Sequence, residues 1–205
     1  MAERTCWNCG AVNPSRFCLS CRALQPPSRS FFEFFEIPRA LVLDTKDLEK
    51  RFYALSRQLH PDLFSRRTAK EQEHSVEATA VLNDGYRALR DPVARALYVL
   101  NQEGFEVAEQ GTKEVPAELL EEVFELNMAL EELRMGDADA TSQLAAAHTR
   151  FEGMRTEIDS ELQQSFAVWD ASHSADALAE VRALLNRRKY ITNLIDKASN
   201  VPDRI

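Results

Sequence analysis

Apolar residues recur three and four positions apart along most of this chain, the period of a helix rather than of a strand. Between Asp47 and Leu59, Leu48, Phe52, Leu55 and Leu59 fall on one helical face, while Lys46, Lys50, Arg51 and Arg57 occupy the others. Pro61 biases the preceding His60 away from helical geometry, so the helix stops there and His60-Pro61-Asp62 is predicted to lie in a loop. Helix resumes near Thr68, with Ala78, Leu82, Gly85, Tyr86 and Leu89 along one face, and Asp91-Pro92 opens a shorter helix reaching Asn101. Glycine inside a helix costs roughly 1 kcal/mol against alanine. Gly85 therefore predicts close packing of another helix at that point.

A polar stretch holding Gly104, Gly111 and Pro116 separates these segments from three long periodic ones that run to the C-terminus. Short breaks near Gly136 and from Ser172 to Ser174 predict antiparallel neighbours in a three-helix bundle. Its second helix shows Leu144, Ala147, Phe151, Met154, Ile158, Leu162 and Trp169; its third shows Leu178, Val181, Leu185 and Ile195. The first, from Pro116 to Met135, carries two stripes. Leu119, Val123, Leu126, Leu130 and Leu133 fall within roughly 40° of one direction at about 100° per residue, which already makes a complete core face. Leu120, Phe124 and Met128 lie roughly 100 to 180° away from it, beside Glu121, Glu125 and Glu132. Two readings stay open for this second stripe. It packs under the preceding helical block or a neighbouring helix, or it faces solvent as an acid-rimmed surface for another protein.

Composition narrows the functional classes. Only 6 Gly and 8 Pro interrupt the chain, and 44% hydrophobic with 28% charged residues is ordinary for a globular protein of 205 residues. No apolar run approaches the eighteen or so residues that cross a bilayer, so no membrane span is expected. A net charge of -8 argues against nucleic acid as the main partner. The start Met-Ala-Glu-Arg-Thr has neither the apolar core of a signal peptide nor the acid-free amphipathic helix of a presequence. The expected location is cytoplasmic, with the mitochondrial matrix as the alternative for a processed form.

All four cysteines lie in the first 21 residues, too local for a disulfide framework spread over a fold. Cys6-Trp7-Asn8-Cys9 and Cys18-Leu19-Ser20-Cys21 are two C-x-x-C knuckles eight residues apart, and each turns two thiolates toward one tetrahedral ion. About twenty residues bury too little to fold alone, whereas structural zinc supplies roughly 10 to 16 kcal/mol of apparent binding energy. One structural Zn2+ per chain is the leading reading. An iron-sulfur cluster and a redox dithiol remain as alternatives.

Taken alone, His60-Pro61-Asp62 is compatible with a simple helix stop. In context, the basic helix ending at Leu59, the tripeptide, the helix with Leu82-Asn83-Asp84-Gly85-Tyr86-Arg87-Ala88-Leu89, and Asp91-Pro92 resemble the J-domain of the DnaJ family. Ser30-Phe31-Phe32-Glu33-Phe34-Phe35 before these helices and a helical bundle after them resemble the HscB family, which works in iron-sulfur cluster biogenesis. Cys6-Trp7-Asn8-Cys9-Gly10 and Phe17-Cys18-Leu19-Ser20-Cys21 resemble the metal-binding extension of its eukaryotic-type members. The resemblance covers nearly the whole chain and is weakest in the last two helices.

The resemblance implies that His60, Pro61 and Asp62, with Arg51 and Arg57 on the basic helix, dock on a DnaK-type chaperone and accelerate its ATPase. It implies a co-chaperone rather than an enzyme. It also implies that the first bundle helix binds the cluster scaffold IscU through Leu120, Phe124, Glu125, Met128 and Glu132, with Tyr190 as an aromatic contact on the last helix. Glu121 and Met128 differ from the bacterial pattern, and Tyr190 reads equally well as an ordinary half-exposed tyrosine. The architecture expected is all-α and L-shaped: a zinc-knuckle module over 1–24, a linker over 25–30, a J-domain over 31–104, a linker over 105–115 and a three-helix bundle over 116–205. The rival functions are a general J-domain co-chaperone for unfolded clients and a metal or redox protein centred on the cysteines. Whether the chain forms a homo-oligomer is left open.

Overall fold

The computed structural model describes residues 5–105, 119–137 and 139–199. Among them the fold is all-α, with seven α-helices; the only β pairing is two isolated bridges, Thr5 with Val12 and Phe17 with Leu24. The chain divides into two compact units, Met1–Tyr98 and Val99–Ile205. Among the described residues no helix is long and apolar enough to cross a membrane. The linker expected over 105–115 and the helix start expected at Pro116 lie, apart from Phe105, outside the described residues.

In the first unit, α1 spans Phe31–Phe35, α2 Thr45–Leu59 and α3 Ala69–Arg90, while α4, Pro92–Gln102, begins there. The starts are chemically marked. Asp44 accepts from the N–H groups of Lys46 and Asp47 at 2.9 and 3.2 Å, and Thr68 with Glu71 forms a reciprocal capping box. Leu48, Leu55 and Leu59 of α2 are buried, as are Ala78, Leu82, Gly85 and Leu89 of α3. The two helices run antiparallel, since Leu59 is bonded to Ser75 and Phe52 stacks on Tyr86 with centroids 4.3 Å apart.

Gly85 is packed against a helix, but the partner is the short α1. A Cβ at this position would lie 2.9 Å from Phe35 and 3.0 Å from Phe31, so the two rings occupy the space a side chain would need. Phe31 in turn stacks on Tyr98 and donates its N–H to the Tyr98 hydroxyl at 3.0 Å. The buried Arg95 donates to the Leu41 carbonyl at 2.8 Å and to the Leu89 carbonyl, tying α4 to the loop before α2 and to the end of α3.

The second unit holds α5, Leu120–Arg134, α6, Ala140–Ser172, and α7, Ala175–Ser199. Helices α6 and α7 pack along their length as the expected antiparallel pair. Leu144, Phe151, Ile158, Leu162, Phe166 and Trp169 of α6 are buried, and Arg188 of α7 holds Asp159 of α6 through two hydrogen bonds. Most of α5's packing is against α6. On its predicted core face only Leu119 and Leu126 are buried, Ala129 joins them, and Val123, Leu130 and Leu133 are half-buried. An outer helix packed mainly on one neighbour has a narrower covered seam than a helix enclosed on two sides.

Candidate functional site

The first candidate is the cysteine module. Its two knuckles have the same backbone: Cys6 N–H donates to the Ala11 carbonyl at 2.8 Å and Cys18 N–H to that of Ala23 at 2.9 Å. Gly10 and Arg22, each four residues after the leading cysteine, close the turns with φ of 74° and 63°, a region that costs glycine little and other residues more. This repetition turns all four Sγ atoms to one point, within 4.8 Å of one another. Cys6 and Cys21 are 3.6 Å apart and Cys9 and Cys18 3.7 Å. Those separations are far beyond the roughly 2.0 Å of a disulfide. They match the edge of about 3.8 Å that a tetrahedron of thiolates has when each sits about 2.3 Å from a central zinc. A polynuclear cluster interposes a second iron and bridging sulfides between thiolate pairs and needs them farther apart.

Donors surround the sulfurs. The Asn8 and Gln25 side-chain amides approach Cys21 and Cys6 at 3.5 and 3.4 Å, and the Asn8 N–H approaches Cys6 at 3.4 Å. Burial opposes ionisation of the Cys6 thiol, but hydrogen bonds from the backbone of Cys9 and Asn8 and from Cys18 and Cys21 outweigh it and bring the thiol down to about 6. At Cys9 the Ala11 backbone acts the other way, yet sharing a proton with Cys21, burial and the two remaining thiols push it up to about 12. Cys21 is lowered, chiefly by the Asn8 amide. Cys6 and Cys21 are thus held toward thiolate and Cys9 toward thiol, a division among four sulfurs close enough to share protons.

The second candidate is the turn between α2 and α3. His60 ends α2 with extended dihedrals, as Pro61 requires, but Pro61–Phe64 is a 3-10 turn rather than an irregular loop. A proline at the first position of such a turn has no N–H to leave unsatisfied. The His60 Nδ1 accepts the Asp62 N–H at 3.3 Å, and the Asp62 carbonyl accepts the Ser65 hydroxyl at 2.9 Å. The Leu59 carbonyl just before the tripeptide accepts the hydroxyls of Ser75 at 2.6 Å and Thr79 at 3.4 Å, both from α3. Phe64 is buried beneath, while His60 and Asp62 project into solvent.

The basic residues of α2 divide. Arg57 is exposed. Arg51 instead turns inward, pairing with Asp47 at 2.7 Å and donating to the carbonyls of Phe35 and Glu36 at 3.2 and 3.1 Å. Two exposed apolar residues, Tyr53 on α2 and Leu63 in the turn after the tripeptide, escaped the sequence reading. The signal for Tyr53 was its place three residues after Lys50 and four before Arg57, on the basic face.

The third candidate is the outer stripe of α5. Leu120, Phe124 and Met128 are 55%, 64% and 47% exposed. Glu121 and Glu125 beside them are exposed and Glu132 is half-buried; Glu125 pairs with Arg150 of α6 at 3.3 Å. Within their own unit, the described helices leave this stripe exposed, so it is not packed under a neighbouring helix of the bundle. Tyr190 of α7 is half-buried, and burial raises its phenol above the ordinary tyrosine value.

The known proteins that resemble this chain fall in one group. A family model described as the HSCB C-terminal oligomerisation domain matches residues 115–199. The human "Iron-sulfur cluster co-chaperone protein HscB" is 30% identical over 199 residues, covering 94% of this chain and 80% of that protein. The "Co-chaperone protein HscB homolog" of Shewanella baltica strain OS195 is 31% identical over 176 residues, 86% of this chain and 98% of that one. Among solved structures, human co-chaperone HscB aligns with a TM-score of 0.74 at 28% identity over 96% of this chain and 97% of its own. HscB from Vibrio cholerae aligns with a TM-score of 0.59 at 28% identity over 83% and 95%. A J-type helical hairpin with an exposed His-Pro-Asp turn, a four-thiolate module before it and a three-helix bundle after it are thus matched almost end to end, and the chain belongs to the HscB family of co-chaperones.

Proposed function

We propose that this chain brings an iron-sulfur cluster scaffold of the IscU type to a DnaK-type chaperone and stimulates that chaperone's ATPase. The observation that carries the reading is the solvent-facing stripe Leu120, Phe124 and Met128, within the segment matched by the HscB family model. An apolar anchor with an acidic rim is the chemistry of a specific protein interface, and Glu125 and Glu132 supply charge beside it. His60, Pro61 and Asp62, with Arg57 and the exposed part of Arg51, form the chaperone-facing group over a J-domain spanning 31–104. The bundle from 116 onward holds the scaffold, with Tyr190 as a further contact. Binding acts on population: a chain that prefers the chaperone's hydrolysis-competent state shifts the chaperone toward it without performing chemistry itself.

The four cysteines hold one structural Zn2+ in this reading, since four close thiolates, with no His or carboxylate grouped with them among the described residues, make a closed tetrahedral site. The compartment is that of the partners, bacterial cytoplasm or mitochondrial matrix.

The test is steady-state ATPase of a DnaK-type chaperone with this chain, with the scaffold, and with both, alongside calorimetric titration of the scaffold into this chain. The expected result is stimulation by the chain that rises further with scaffold, and saturable one-to-one binding. Stimulation without any scaffold affinity would assign the chain to general client delivery. No effect on ATP hydrolysis under any combination would refute the co-chaperone mechanism.

A further inference from the structure

Helix α1 has only five residues, too few to be stable alone, and its last carbonyls have no partners within the helix. Two arginines from different parts of the chain supply them. Arg51 of α2 donates to the Phe35 and Glu36 carbonyls, and Arg16, from the segment between the two cysteine knuckles, donates to the Phe34 carbonyl at 2.6 Å. The Arg16 guanidinium also lies 5.2 Å from the centre of the Phe34 ring and 3.4 Å from the Glu36 carboxylate. Glu36 itself has φ of 55°, a strained conformation for a residue with a side chain, and it is held there by both arginines.

A second contact joins the module to α3. Trp7, inside the first knuckle, donates its indole N–H to the Leu24 carbonyl at 2.7 Å and lays its ring edge against His74, with centroids 5.8 Å apart. The ammonium of Lys70 sits over the same indole at 5.3 Å. His74 is buried with neither ring nitrogen hydrogen-bonded, its Nδ1 lies 3.9 Å from the Glu77 carboxylate, and the indole packs against its ring. Trp7 lies between two of the cysteines and Arg16 two residues before a third. The aim of both side chains depends on backbone that a segment of this size holds only through its ion.

We propose that the metal module is a clamp on the J-type hairpin: occupancy of the four-thiolate site and the seating of α1 on α2 and α3 form one linked equilibrium, with Arg16 and Trp7 as its positioning residues. The inference rests on the metal reading of the cysteines. It adds that losing the ion loosens α1 and, through Arg51, the helix that ends at His60. By linkage, whatever unseats α1 must weaken metal binding by the same factor.

Metal content of the purified full chain is measured first by atomic emission, and absence of a stoichiometric ion would overturn the metal reading and the coupling with it. With the ion present, hydrogen exchange is followed at the amides of Phe34, Glu36 and Ile37, which bond to Ser30, Glu33 and Phe32. Removing the ion with a chelator should speed these amides about 5- to 100-fold, the usual span of a coupling between sites, while α6 and α7 keep their protection. Unchanged exchange at the three amides would overturn the clamp and leave the metal site standing. Arg16→Ala, saturated with zinc, should exchange there as fast as the chelated wild type, and its zinc dissociation constant should rise by the matching factor. Arg16→Lys, which keeps a charge for Glu36 and one donor for Phe34, should recover part of both. Wild-type exchange and zinc affinity in Arg16→Ala would overturn the route through Arg16.

Discussion

Truncating Phe124 to alanine separates an interface from a core more sharply than any other single change in this chain. A phenylalanine side chain buries on the order of 200 Å² when fully covered. With 64% of Phe124 exposed, about 130 Å² remains for a partner to cover, worth roughly 3 kcal/mol at 25 cal/mol per Å² as an upper bound. Imperfect coverage brings the expected loss of scaffold affinity to about 1 to 3 kcal/mol, or roughly 5- to 150-fold in Kd. The remaining third of the side chain already touches protein, so its removal costs at most about 1.7 kcal/mol of folding free energy. Alanine's better helix propensity returns about half a kcal/mol. Net destabilisation should therefore stay near 1 kcal/mol, well under the roughly 3 to 5 kcal/mol of a buried phenylalanine. Calorimetric titration with the scaffold and thermal melting of the same variant read the two quantities independently. Normal affinity combined with a large drop in melting temperature would refute both the exposure of the side chain and the scaffold assignment.

His60→Gln should abolish stimulation of the chaperone ATPase with unchanged far-ultraviolet dichroism, because His60 is exposed and only caps the turn; full stimulation by the variant would reduce the tripeptide to a helix stop. The purified chain should be colourless with one zinc per chain, and stoichiometric iron with visible charge-transfer absorption in anaerobic preparations would contradict that. Gly153 lies within α6, and a Cβ placed on it would meet nothing within 4 Å, so Gly153→Ala should stabilise by up to about 1 kcal/mol and raise the melting of that unit by roughly 2 to 4 °C. A lowered melting temperature would show that the glycine has a role its surroundings do not reveal.

The parts of this structure readable from sequence are those governed by local chemistry. Thr68 and Pro92 mark helix starts through a side-chain cap and a missing N–H, whereas α2 starts at Thr45 behind its Asp44 cap, two residues before the Asp47 start expected from the apolar period. The period of apolar residues in α2, α3, α6 and α7 predicts which faces are buried. Four cysteines at knuckle spacing predict their own convergence. Helix α1 has fewer than two turns, so periodicity has nothing to count, and its phenylalanines were legible only through the family resemblance. Arg51 shows why a basic helical face cannot be divided further by sequence. Whether a guanidinium meets solvent or a carbonyl sixteen residues upstream depends on packing that no local pattern encodes. The same limit hid Arg16, an ordinary basic residue between two knuckles until α1 is placed against it.

The tie between Ser75 and the Leu59 carbonyl has a kinetic and entropic consequence for recognition. Residues 60 to 64 are anchored at one end by that hydroxyl and at the other by buried Phe64, so folding has already restricted their backbone. Ordering a free segment costs about 1 to 2 kcal/mol per residue, and a floppy turn of identical composition would surrender much of that on every encounter with a partner. A preorganised turn keeps the contact energy available for the complex. For the chaperone contact proposed above, association then proceeds in one step, at a rate set by diffusion and by the charge on α2 rather than by a search through loop conformations.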